Sequence, residues 1–243
     1  MIVLIITAVR VKSMDSHRIS GRILAENIAG PGMMRLVEQS MQAQAQKTSV
    51  TEIAVKEWKH PQAALTFDDG PDIRYTPLLL DGLKERNVRA SFFLLGEKVE
   101  QYPELVERMQ KEGHLVGNHT YHHVQLNKLN ETKAREEILK TNNLIYETTG
   151  VYPLYLRPPF GAWKKNLELC VEMLPVFWTI DTLDWKVKNT EKIVRTVKEQ
   201  IEDGAIILMH DEYDTSVEAA LQVVDELKNQ GYELVTVDQL ILP

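Results

Sequence analysis

Cysteine is nearly absent: the 243 residues contain one, Cys170. An internal disulfide is excluded, and Cys170, set among apolar neighbours, reads as a core residue. A lone thiol leaves the compartment open, because many secreted bacterial proteins lack disulfides. Positive charge is also in short supply. Lys and Arg number 28 against 35 Asp and Glu, for a net charge of -7. A nucleic-acid binder needs clustered basic residues to neutralise phosphates, so that class is set aside. Long apolar runs are missing from the opening stretch too. Met1 to Val9 is apolar but falls short of the roughly 20 residues that span a bilayer. No internal repeat is present.

What is there bounds the answer further. Hydrophobic residues make up 44% of the chain, enough for a substantial core. Single-domain α/β barrels commonly have this length. The two ends of the chain differ in character. Arg10 and Lys12 follow the apolar opening, whereas a secretory signal carries its basic residues first. A signal or anchor remnant is expected there, with a small buried segment or a disordered end as alternatives. Residues 13–60 are rich in Gln, Met, Ser and Ala, and Gly30-Pro31-Gly32 punctuates them. They read as a linker or stalk, or else as a gene-start artefact. The expected division is an extension over 1–60 and a folded domain over 61–243.

From Pro61 the pattern alternates between strand and helix. Apolar strand candidates are 62–67, 89–95, 114–118, 154–157, 175–180, 205–209 and 233–237. Helix candidates are 76–86, 103–112, 131–148, 164–174, 190–202 and 215–230. The second helix opens at Pro103 and stops at Gly113, a usual pair of start and stop signs. Such alternation predicts a parallel sheet with helices packed outside. Seven strands suggest a barrel, and barrels gather their chemistry where strands end.

Reactive residues do collect at those ends. The first strand delivers Asp68-Asp69 and breaks at Gly70-Pro71. The third delivers His119, with His122 and His123 just beyond. The fourth delivers Arg157, within Arg-Pro-Pro-Phe-Gly. Asp181 and Asp184-Trp185 follow the fifth, and His210-Asp211 ends the sixth. Adjacent carboxylates repel, so each asks for a cation or a basic partner. His119 and His123 are four apart, which on a helical turn puts both imidazoles on one face. With one carboxylate they make a three-ligand site open to water, the arrangement of catalytic zinc. A His119/His122 pair on an irregular turn is the alternative. Blander readings exist for each: a turn carboxylate pair capping a helix, surface loop histidines, an Arg157 ion pair on the rim, a satisfied core His210. Prolines and a glycine fix the backbone around Arg157, whose planar fork suits a carboxylate. Asp184 is a suitable partner to keep His210 protonated.

Five ordered motifs carry a family resemblance. Thr-Phe-Asp-Asp-Gly-Pro, His-Thr-Tyr-His-His, Arg-Pro-Pro-Phe-Gly, Asp-Thr-Leu-Asp-Trp and Leu-Met-His resemble those of the polysaccharide deacetylases with the NodB homology domain, carbohydrate esterase family 4. The likeness runs from about residue 61 to 238. It implies a distorted (β/α)7 barrel, with the N-terminal extension outside it, that removes acetyl groups from N-acetylated sugars. It implies Asp69, His119 and His123 as metal ligands, Asp68 as base, Arg157 as its orienter, and His210 as acid tuned by Asp184. Trp185 and Leu208 would line the acetyl pocket, and the Phe160 N–H would help hold the oxyanion. The family often has Tyr at that last position; a backbone role does not depend on the side chain. The implied cofactor is a divalent metal, Zn2+ first and Co2+ or Ni2+ as alternatives. The implied substrate is a bacterial cell-wall glycan, peptidoglycan GlcNAc or MurNAc, reached outside the cytoplasm, with membrane or wall attachment through the N-terminus. Deacetylation of chitooligosaccharides or O-acetyl glycans is the alternative activity, and an inactive carbohydrate-binding protein the alternative class.

Overall fold

The computed structural model describes residues 60–163 and 173–241. All but the last residue of the expected extension over 1–60, the core assignment of Cys170 and most of the expected helix 164–174 lie outside these residues. The fold is a parallel sheet curled into a distorted barrel, with helices on its outer face.

The central strand is β1, Gln62–Asp68, and every one of its residues is buried. A strand covered on both faces reads as a continuous apolar run, and Ala63-Ala64-Leu65 is its start. Around it lie β2 (Ser91–Leu94), β3 (Leu115–Asn118), β4 (Tyr155–Leu156), β5 (Leu174–Pro175), β6 (Ile180–Asp181) and β7 (Ala205–His210). Their spatial order is β5-β4-β3-β2-β1-β7-β6, all parallel. A short β8, Glu233–Leu234, adds to the start of β1. The single strand expected over 175–180 is two dipeptide strands, separated by residues 176–179. β5 and β6 are the two ends of the ladder, so among the described residues hydrogen bonds do not close the barrel. Leu174, expected to end a helix, opens β5 instead.

The helices are α1 (Thr76–Glu85), α2 (Gly96–Gln101), α3 (Pro103–Lys111), α4 (Glu131–Thr149), α5 (Asp184–Val187), α6 (Thr190–Gln200), α7 (Asp214–Asn229) and α8 (Val237–Ile241). Their limits follow local chemistry. The Asn130 and Asn189 side chains each accept a hydrogen bond from an early helix N–H, capping α4 and α6. Gly150, with φ 72°, ends α4 in the left-handed cap that glycine favours. None of the helices among the described residues is long and apolar enough to cross a membrane.

Strand side chains alternate between two faces. Ala63, Leu65, Phe67, Phe92, Leu94, Ile207 and Met209 join the helices in the main core. Ala64 and Phe93 pack with Tyr155 and Val176 on the other, inner face. Thr66 and Asp68 on β1 share that inner parity, as do Leu208 and His210 on β7. The inner face and the strand C-termini therefore meet at one place.

Candidate active site

Sheet register makes the first pairings. Asp68 lies beside His210 on one side and Phe93 on the other. Arg157, just past β4, enters the curl beneath them. Its Nη1 donates to Asp68 Oδ1 at 2.9 Å and to Thr66 Oγ1 at 2.6 Å. The Thr66 hydroxyl in turn donates to the Ile207 carbonyl at 2.7 Å. The guanidinium lies 4.2 Å from the centre of the Phe93 ring. Arg157 is 0% exposed, so the reading of a rim ion pair is wrong. A buried guanidinium requires a partner of opposite charge, and Asp68 is that partner. Burial lowers the Arg157 pKa, and the charge and hydrogen bond of Asp68 work against that.

Asp69 takes a different path. Its φ of 69° is left-handed. Its Oδ1 lies 3.4 Å from His119 Nε2 and 3.4 Å from His123 Nε2. Burial would raise its pKa, but contact with His119 and the charges of His119, His123 and His210 hold it well below the usual carboxylate range. The ligand atoms of Asp69, His119 and His123 lie within 4.8 Å of one another. Asp69 Oδ1 is buried and has no hydrogen-bond partner, as an atom facing a cation would be. One carboxylate and two imidazoles suit a divalent metal with positions left for water. His119 Nδ1 lies 2.6 Å from the Arg157 carbonyl. A carbonyl only accepts, so Nδ1 carries the hydrogen and Nε2 presents its lone pair towards Asp69. Burial lowers the pKa of His123, which favours the neutral, ligating form.

The two histidines do not share a helical face. Thr120 (φ 66°) and His123 (φ 54°) are left-handed, and an irregular turn brings the rings to 5.0 Å between centres. His122 belongs to neither pairing. It is exposed, and its Nδ1 lies 2.8 Å from Glu137.

His210 closes the site. Its Nδ1 lies 2.7 Å from Asp184 Oδ1, and its backbone N–H donates to Asp184 Oδ2 at 2.8 Å. Asp184 is fully buried at the first position of α5. Burial alone would lower the His210 pKa. The hydrogen bond and charge of Asp184, with the charges of Asp68 and Asp69, push it up to about 9. Its Nε2 points back into the site, 3.8 Å from Asp69 Oδ2.

Phe160, in a 3-10 turn over Pro159–Gly161, has φ 60° and rests its ring 4.5 Å from that of His123. Trp185 follows Asp184 on α5 and is half exposed, while Leu208 is buried beside Thr66 in the ladder. All ten expected residues thus belong to the C-terminal end of the curl. Sequence reasoning missed Thr66, Trp178 and Glu137. Thr66 shares the inner parity of Asp68 and was recoverable from that. Trp178 lies in the break between β5 and β6, with the Arg157 guanidinium 5.8 Å from its ring. Its placement and that of Glu137 depend on contacts across the chain, which no local pattern encodes.

A family model described as "Polysaccharide deacetylase" matches residues 56–176. A peptidoglycan-N-acetylglucosamine deacetylase of Listeria monocytogenes is 44% identical over 177 residues, 73% of this chain and 38% of that protein. The chain therefore spans little more than a third of that relative's length. A peptidoglycan-N-acetylglucosamine deacetylase of Bacillus cereus is 40% identical over 186 residues, covering 74% of this chain and 68% of its own. The peptidoglycan-N-acetylmuramic acid deacetylase PdaC of Bacillus subtilis is 44% identical over 177 residues, 73% of this chain and 38% of PdaC. Its solved structure superposes with a TM-score of 0.73 over 75% of this chain and 91% of that one. On the family match and the 40% identity to the Bacillus cereus enzyme, the chain belongs to the polysaccharide deacetylase family.

Proposed function

We propose that the chain is a metal-dependent hydrolase that removes N-acetyl groups from peptidoglycan. One observation carries the reading: adjacent carboxylates are partnered separately. Asp68 is tied to Arg157, and Asp69 Oδ1 is turned towards two imidazole nitrogens. A binding protein has no need to divide a carboxylate pair in this way. Asp69, His119 and His123 would hold the ion, with Zn2+ the best match to imidazole and carboxylate donors and Co2+ or Ni2+ also compatible. When bound, it supplies Lewis acidity, polarising the acetyl carbonyl and acidifying a water.

The remaining roles fall to protein groups. Arg157 fixes Asp68 with one oxygen engaged, leaving Oδ2 free to accept the proton of the attacking water. The Phe160 N–H donates to the developing oxyanion. His210, kept cationic by Asp184, gives its Nε2 proton to the departing amine. The C–N bond breaks, and acetate and a free amino sugar leave. Trp185 and Leu208 shape the acetyl pocket. Relatives with the same 44% identity are named for different sugars, and GlcNAc and MurNAc are both proposed targets. A peptidoglycan substrate would be met outside the cytoplasm, and residues 1–60 are the proposed attachment of the domain over 61–243.

Acetate release from peptidoglycan, chitin oligomers and acetylxylan, with and without chelator, tests the reading. Chelator-sensitive release from peptidoglycan is expected. Preference for another glycan would move the substrate, and binding without release would leave a carbohydrate-binding protein. Asp68→Asn should keep metal and lose about 100-fold or more in kcat. His119→Ala should lose the metal. Full turnover by Asp68→Asn would remove the base assignment.

A further inference from the structure

The turn that carries His119 and His123 does not hold itself. It has no regular hydrogen-bond ladder, and two of its residues are left-handed, at a cost of about 1–3 kcal/mol each. Apart from a local bond from the Val124 N–H to Thr120 Oγ1, its main-chain groups are satisfied from neighbouring elements. Helix α4 supplies much of that support. Glu137 Oε2 accepts from the N–H of Tyr121 at 3.0 Å and of His122 at 2.9 Å. Its Oε1 lies 2.8 Å from His122 Nδ1. One turn further along, Asn142 accepts from Asn118 Nδ2 at 2.7 Å, and Asn118 Oδ1 takes the Thr120 N–H at 2.7 Å. The helix grips the end of β3 and the middle of the turn.

We propose that Glu137 is a positioning residue for the metal site, fixing the His119–His123 turn and holding His122 out of it. The inference rests on the metal-binding reading given above. Three histidines within five positions offer more imidazoles than the site uses. His119 is oriented by the Arg157 carbonyl and His123 faces Asp69. His122 is the third, and the Glu137 carboxylate engages both its N–H and its ring. The Glu137 side chain is only 16% exposed, so water does not readily replace it. Removing it frees two adjacent N–H groups in the span between the two ligands, and it releases a competing imidazole.

The test uses the full chain stripped of metal. Zn2+ is titrated by calorimetry and Co2+ by its visible absorption, in the parent and in Glu137→Ala, Glu137→Asp and Glu137→Gln. Loss of an outer hydrogen-bond partner typically weakens metal affinity by about 10–100-fold. That loss is expected for Ala, with an altered Co2+ spectrum. Asp keeps the charge but not the reach, so it should also weaken binding, and it serves if the Ala variant fails to fold. Gln keeps an acceptor oxygen and should restore most of the affinity. Parent-like affinity and spectrum in the Ala and Asp variants would overturn the role of Glu137 alone. A parent protein that binds neither ion would overturn the metal reading with it.

Discussion

At the scale of single residues, the site depends on keeping like charges apart by giving each its own partner. His210 shows the sign of the effect most clearly. Burial disfavours the imidazolium, and the buried Asp184 carboxylate at 2.7 Å reverses this. The result is a pKa of about 9, which keeps an acid available at neutral pH. Replacing Asp184 with Asn removes the negative charge while preserving shape. The His210 pKa should then fall, and the alkaline limb of the kcat profile should move to lower pH. At pH 8 the variant should lose about 100-fold or more, the usual contribution of a positioned acid. A pH–rate profile checks this. An alkaline limb that stays in place would show that His210 is not the group being titrated.

Among elements, the strand C-termini and the turns after them set the geometry. Five strand ends could be read from the sequence because polar, reactive residues interrupt apolar runs there. Parity along β1 and β7 then fixes which side chains face inward. The conformation of the His119–His123 turn was not legible. Four-residue spacing points to a helix, whereas the turn is shaped by α4 and by the start of α2, both distant in sequence. The break that separates β5 from β6 was hidden as well, since Val176 to Thr179 continues the apolar pattern of a strand. Gly96 shows how tightly these parts meet. Its N–H donates to the Thr120 carbonyl at 2.9 Å. A Cβ there would collide with Thr141 Oγ1 and the Tyr121 ring, and would lie 3.1 Å from Tyr121 Cα. Gly96→Ala should therefore displace the turn. Overpacking of this kind costs about 1–3 kcal/mol. Lower metal affinity should accompany a lower melting temperature, measured by calorimetry and thermal denaturation. An unchanged affinity would mean that the turn is independent of α2.

For the whole molecule, the groups that serve the site also set how stability varies with pH. Asp211 follows His210 and is fully buried behind Gly70, accepting a hydrogen bond from the Thr76 hydroxyl. Burial pushes its pKa up to about 7, against the hydrogen bond from Thr76 and the charge of Lys98. A carboxyl raised in the folded state stabilises that state when protonated. Its contribution is complete below the ordinary value of 3.8 and is lost as pH rises through about 7. His210 has the same sign: its contribution is complete below 6.5 and is lost as pH rises through about 9. Asp69 has the opposite sign, because its depressed pKa contributes above 3.8 and fails only under strong acid. Burial lowers the pKa of His114 to about 4, so its contribution grows as pH rises from about 4 to 6.5 and offsets the loss from Asp211 there. The metal-free protein should therefore be most stable between about pH 4 and 6.5 and weaken towards pH 9. Asp211→Asn replaces the titrating group with a neutral one of nearly the same shape, and its amide oxygen can still accept from Thr76. The variant should match the parent near pH 4 and melt several degrees higher at pH 8. Thermal denaturation across that range decides the matter: parallel curves for the two proteins would show that Asp211 does not titrate between them.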